Sequence, residues 1–97
     1  MKAYWIAHVD VTDPQQYGEY TRRAPAAFQR YGGRFLARGG RSQAMEGRPT
    51  PQRSVVIEFD SYAQAQACYH SDEYQQACVH RQGVAKAEVI IVEGIEA

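Results

Sequence analysis

Two glycine pairs, Gly32-Gly33 and Gly39-Gly40, bracket the five residues Arg34-Phe-Leu-Ala-Arg38. Glycine adopts positive φ at little steric cost, so a pair of them interrupts regular structure. The first pair is read as ending a helix, with Gly32 as its C-cap. The second bends or ends a short strand, with a β-bulge expected at Gly39-Gly40. The block Tyr31–Gly40 thus sets the middle of the fold as helix, tight turn and strand.

The flanking sequence fills in a β-α-β-β-α-β order. Ala3–Val9 is aromatic and β-branched, as in a strand. Asp13-Pro14 with Gln16 is a helix start: a capping side chain, proline at the first helical position and a capping-box partner. Tyr17, Tyr20, Ala24, Phe28 and Tyr31 then recur at three- and four-residue steps, on one helix face. Pro25 removes a backbone donor within that run, which predicts a kink or break at Ala24. Arg34–Arg38 is the second strand, with Ser42–Gly47 a possible continuation past the bulge. Arg48-Pro-Thr-Pro-Gln52 is a loop. Ser54–Phe59 is the third strand. Ser61 with Gln64 opens a helix to about Tyr69, and Ser71 caps another from Asp72 to about Arg81. Gly83 ends it, and Glu88–Glu93 is the last strand. Residues 1–97 make one domain. The fold class is α+β, ferredoxin-like: a four-stranded antiparallel sheet with its helices on one face.

Two runs in that plan are apolar at every position, Val55-Val56-Ile57 and Val89-Ile-Ile-Val92. A strand buried on one face alternates, whereas one buried on both reads as a continuous apolar run. Two helical segments cover only one face of such a sheet. The expected cover for the other is a second copy, giving a homodimer packed sheet to sheet.

Charge and composition exclude several classes. The chain carries 11 basic and 11 acidic residues, which argues against nucleic acid or a membrane surface as partner. No apolar stretch is long enough to span a bilayer, and Met1-Lys2 leads into a strand with no leader pattern. The chain is read as cytoplasmic, with Cys68 and Cys78 as reduced thiols. Cys68-x-His70 and Cys78-x-His80 suggest zinc, but residues two apart on a helix point in nearly opposite directions. No metal is expected, and no haem or other cofactor.

The candidate site residues fall into three groups. His8 and Glu58 are candidate catalytic residues, His8 as a base near neutrality. On this reading Glu58 lies on a strand adjacent and parallel to the first and orients His8 if register puts them on one face. The plain alternative is a surface or dimer-interface ion pair. Tyr17, Tyr20 and Tyr74 belong to a set of seven tyrosines. The stripes Tyr17, Tyr20, Tyr31 and Tyr62, Tyr69, Tyr74 should face the sheet, either lining a partly wet cavity or packing as ordinary core with their hydroxyls reaching the rim. Arg34, Arg38, Arg41, Arg48 and Arg53 share a segment whose only acid is Glu46. They form either a solvated edge or a seat for a carboxylate or phosphate.

Several motifs then resemble one family. They are Tyr4-Trp-Ile-Ala, Asp13-Pro14 with Tyr17 and Tyr20, Phe28-x-x-Tyr-Gly-Gly-Arg-Phe-Leu-x-Arg-Gly-Gly40, Glu46-Gly47, Val56-Ile-Glu-Phe59, Ser71-x-Glu-Tyr74, Arg81-Gln82 and Val92-Glu-Gly94. Together they are similar to the domain of unknown function 1330 family. The resemblance implies a dimeric α/β barrel, a superfamily that includes cofactor-free monooxygenases, small isomerases and haem-dependent enzymes. It carries the family's polar motif positions onto Arg38, Glu58, Tyr74 and Arg81. Asp60 and Asp72 stand where that pattern has proline.

The leading expectation is a small organic ligand, acidic or phenolic, held between sheet and helices by Arg38 or Arg81 and the tyrosines. One alternative is a cofactor-independent monooxygenase or isomerase using His8 or Glu58. The other is a protein-interaction module without a pocket.

Overall fold

The computed structural model describes residues 1–96. The elements run β1 (Ala3–Val11), α1 (Pro14–Arg30), β2 (Arg34–Arg38), β3 (Arg53–Phe59), α2 (Tyr62–His70), α3 (Asp72–Val79) and β4 (Ala85–Glu93). The strands form one sheet in the order β2-β3-β1-β4, and every neighbouring pair is antiparallel. This corrects the parallel β1–β3 pairing expected from sequence. The α1 crossover returns the chain so that β2 runs with β1, and the turn back into β3 reverses it.

The caps are those the sequence prescribes. Asp13 accepts from the Gln16 amide at 3.2 Å, Ser61 from the Gln64 amide at 3.1 Å and Ser71 from the Tyr74 amide at 3.2 Å. α1 ends in a Schellman motif whose C-cap lies one residue before the expected Gly32. Tyr31 is the C-cap and Gly32 follows at φ 77°. The Gly32 and Gly33 amides donate to the carbonyls of Gln29 and Phe28 at 3.1 and 2.8 Å. A Cβ at Gly33 would press on the Phe59 ring at 3.0 Å, so this position favours glycine for close packing, as Gly32 does for conformation.

Four expectations change. α1 runs unbroken through Pro25, although an interior proline costs about 3 kcal/mol. Buried Tyr17, Tyr20 and Ala24 on one side of it and Ala27 and Phe28 on the other clamp both halves to the sheet. Ser42–Gly47 is not a strand but part of an exposed strap. Tyr62 is exposed, not turned to the sheet. α3 stops at Val79, leaving His80 as its C-cap and Arg81 in the following turn.

Alternation along the strands sorts the sheet into two faces. The inner face, under the helices, carries Ala3, Trp5, Ala7 and Val9 of β1 and Val55, Ile57 and Phe59 of β3, all buried. Trp5 is the centre of this layer. Its ring meets Phe28 edge-on at 5.0 Å and Tyr74 edge-on at 4.8 Å, and it stacks on Phe59 at 6.1 Å. The chain is a slab of 37 × 35 × 17 Å, two layers thick, so the outer sheet face has no helical cover. Ile90 is 60% and Val92 45% exposed there.

Candidate functional site

A bulge decides where the pocket forms. In the β2–β3 ladder Arg34 faces Glu58 and Phe35 faces Ile57, but Ala37 faces Val56 and Arg38 faces Val55. Leu36 is the extra residue, and it is 57% exposed. The bulge lies inside the strand, not at Gly39-Gly40. A strict alternation would put Arg34 and Arg38 on one face. The inserted residue sends Arg34 outward and Arg38 inward. Arg38 then lies over the Phe35 ring, 4.2 Å from its centroid.

Arg38 borders a pocket between α1 and the inner sheet face. Its floor is aromatic and aliphatic, including Trp5, Phe28, Phe35 and Ile57, and its polar rim is Tyr17, Tyr20, Arg38, Arg53 and Arg81. The cavity is about 40 Å³, room for roughly three waters or the oxygen end of a larger molecule. Space at the rim is tight: Gly39, at φ 71°, has no Cβ where one would come within 2.7 Å of the Arg53 guanidinium.

The charge balance of the lining is one-sided. Three arginines reach the pocket, and no Asp, Glu, His or Lys does. Among the described residues none of the three arginines makes an ion pair, whereas Arg34 and Arg48 do. Arg81 instead donates through Nη1 to the Tyr74 hydroxyl at 3.0 Å and the Tyr20 hydroxyl at 3.4 Å. Those hydroxyls are 2.8 Å apart. Burial pushes the Tyr20 phenol up to about 12 and holds Tyr74 neutral well above the ordinary tyrosine range. Tyr17 is raised for the same reason, against the lowering pull of Arg53 and Arg81. The pocket thus offers neutral phenols and permanent cations, a setting for an anionic oxygen.

The family model for the domain of unknown function DUF1330 matches residues 2–95. The chain belongs to the DUF1330 family. No curated protein matches it. Among solved structures, the RPA0582 protein of unknown function from Rhodopseudomonas palustris is similar with a TM-score of 0.78 at 18% identity, covering 99% of this chain and 84% of that one. SnoaB, a cofactor-independent oxygenase from Streptomyces nogalater, is similar at 0.68 and 10% identity, covering 99% and 95%. A putative antibiotic biosynthesis monooxygenase from Nitrosomonas europaea is similar at 0.62 and 16% identity, covering 99% and 100%. These likenesses establish the fold, ferredoxin-like and of the α/β-barrel type.

In this DUF1330 chain the candidate residues separate by sheet face. Tyr17, Tyr20, Arg38 and Arg81 meet at the pocket, with Tyr74 bonded just behind it. His8 and Glu58 are both on the outer face but at opposite ends: His8 faces Ser54 across the ladder and Glu58 faces Tyr4. Four residues of strand separate them, about 13 Å at the usual rise, so the expected pair does not form. His8 Nδ1 lies 3.0 Å from Ser54 Oγ. Glu58 accepts from Arg34 at 2.7 Å. In the sequence Arg53 stands out only as one of an arginine cluster. Its signal is position: the residue opening β3, in phase with inward Val55 and Ile57.

Both cysteines are buried and unpaired, and burial raises the Cys68 thiol to about 12. Among the described residues no three His, Cys, Asp or Glu side chains converge as a metal site, and no helix is long and apolar enough to cross a membrane.

Proposed function

We propose that this protein is a sheet-to-sheet homodimer whose subunits each bind a small organic anion in the pocket between α1 and the sheet. One observation carries the binding reading: three arginines that have no carboxylate partner among the described residues line a pocket that is otherwise mainly aromatic and aliphatic. Unpaired guanidinium groups beside aromatic walls suit a ligand with an acidic head and an apolar, planar body. Arg38 is exposed and stacked on Phe35, so it is the wall that moves to admit a body larger than the present cavity.

The outer face supports the dimer. Its middle row is Ala37, Val56, Ile6 and Ile90, apolar from edge to edge. Charged groups stand at both ends, Arg34 with Glu58 and Asp60 at one, Arg48 with Glu88 at the other. An apolar stripe with polar margins is the pattern of an interface.

A cofactor-independent oxygenase or isomerase is the second reading, favoured by the fold shared with SnoaB. The pocket lining contains no His, Asp, Glu or Lys to take a proton. His8 and Glu58 would serve only a substrate on the outer face. Binding without turnover therefore leads.

Calorimetric titration of the purified protein with benzoate and hexanoate is the test. Saturable binding that weakens at least tenfold in Arg38→Ala supports the reading. Equal affinity in the variant, or no binding of either acid, rejects it. A cytoplasmic location belongs to the same reading and is tested by fractionation.

A further inference from the structure

We infer that the Tyr20–Arg81 end of the pocket takes the ionised hydroxyl of a weakly acidic phenol or enol. The inference rests on the anion-binding reading above and adds which oxygen is seated where.

It follows from counting hydrogens. Tyr20 and Tyr74 bring two O–H groups, and the bond between them uses one. Their other partner is Arg81, which only donates. One O–H is therefore left without a protein acceptor among the described residues. Tyr74 is fully buried and does not line the cavity, while Tyr20 does. An unused O–H on Tyr74 would be sealed away from any acceptor, a costly state for a buried donor. Tyr74 thus donates to Tyr20. The Tyr20 oxygen then accepts from Tyr74 and from Arg81, which fills both lone pairs, and its own O–H is directed to the cavity.

The result is a seat dominated by donors. Tyr20, at 9% exposure, presents one O–H, while its oxygen is engaged by Tyr74 at 2.8 Å and by Arg81 at 3.4 Å. Arg81 makes no hydrogen bond through Nε or Nη2 among the described residues. A neutral hydroxyl placed there would leave its own hydrogen without an acceptor on the protein. A single oxyanion accepts from Tyr20 and lies in the field of Arg81 with nothing left over. The apolar floor beside the seat, Trp5 and Phe28 among it, suits the ring that carries such an oxygen.

Two chromophoric probes test it, 4-nitrophenol and 4-nitrobenzoate, which differ in whether the anion is a phenolate or a carboxylate. Mixing 4-nitrophenol with the protein, in buffer more acidic than the probe's own ionisation, should raise the visible absorbance of its anion. Tyr20→Phe should weaken phenolate binding at least tenfold and 4-nitrobenzoate binding by a clearly smaller factor. Tyr74→Phe should weaken phenolate affinity by less than tenfold, because Tyr20 keeps its O–H free while Arg81 loses only its Tyr74 partner; this variant also tests the count if Tyr20→Phe folds poorly. Phenol bound without ionisation overturns the inference, as does equal loss of both probes in Tyr20→Phe. A tenfold loss in Tyr74→Phe overturns the donor assignment on which it rests. If 4-nitrobenzoate binds and 4-nitrophenol does not, the anion-site reading stands and this inference falls. If neither binds, both fall.

Discussion

The two faces of the sheet are built from the same strands and do different work. On the inner face every β1 position from Ala3 to Val9 is buried and packed against aromatic rings of the helices. On the outer face the intervening positions, Tyr4, Ile6 and His8, are half-buried or exposed, with Ile90 and Val92 open beside them. The inner face already has its partner in the chain itself. The outer face is as apolar in its middle but has none. Apolar content alone therefore does not say where stability lies; the presence of a covering layer does.

That difference is sharpest at Trp5. Trp5→Ala removes the ring that joins Phe28, Phe59, Tyr69 and Tyr74, and should cost about 3–5 kcal/mol of folding stability. Chemical denaturation with unchanged m-value is the measurement. A loss under about 1 kcal/mol would mean that the inner layer is not the stabilising one.

Ile90→Asp asks the same question of the outer face and should give a different answer. Ile90 has no cover in the single chain, so monomer folding should change by less than about 0.5 kcal/mol. In a sheet-to-sheet dimer each copy of the variant buries an unpaired carboxylate, and self-association should weaken at least about a hundredfold, roughly 2.7 kcal/mol. Light scattering across a dilution series reads it. A wild-type chain that stays monomeric at micromolar concentration, or a variant that still pairs, breaks the comparison at this face.

Alkaline pH separates the faces without mutation. Tyr20 titrates at about 12 in the fold against 10.0 unfolded. A raised pKa means the folded state holds its proton more tightly, so this stabilisation is complete below pH 10 and is lost as pH rises toward 12. The loss from Tyr20 should be about 2 kcal/mol, with Tyr74 adding in the same direction because burial raises it too. Tyr20→Phe should flatten the decline of melting temperature in that window. An equally steep decline in the variant would place the alkaline sensitivity elsewhere.

The fold was legible because its signals are local. Caps at Asp13, Ser61 and Ser71, the turn at Gly32-Gly33 and the period of Tyr17, Tyr20, Ala24 and Phe28 each act within a few residues. The candidate site was half legible. Tyr17, Tyr20, Tyr74, Arg38 and Arg81 were named as ligand-binding candidates, but their meeting depends on long-range facts. Arg38 turns inward only because one residue is inserted at Leu36, and nothing in Arg34–Arg38 itself fixes which residue bulges. A His8–Glu58 pair needs a parallel β1–β3 neighbour, and that pairing is antiparallel. Pro25 does not break α1 because a propensity of about 3 kcal/mol is smaller than the summed burial of a helix face.

The smallest expected effect is at the edge of the outer face. Arg34 donates to Glu58 at 2.7 and 3.1 Å and to Asp60 at 3.1 Å, and Lys2 reaches Asp60 at 3.1 Å from the other side. The hydrogen bonds from Lys2 and Arg34 hold the Asp60 carboxyl below its ordinary value of 3.8. A lowered carboxylate pKa contributes stability above that value and loses it as pH falls through the folded pKa. Arg34 and Asp60 are about half exposed, so water and salt screen most of the interaction. Arg34→Ala should therefore lower the melting temperature by a few degrees at most near neutrality. The difference should shrink in high salt and again below pH 3.8. Lys2 remains to hold both acids, so self-association should not change. A large, salt-insensitive loss would instead make this ion network a structural part of the outer face, equal in weight to the aromatic layer beneath it.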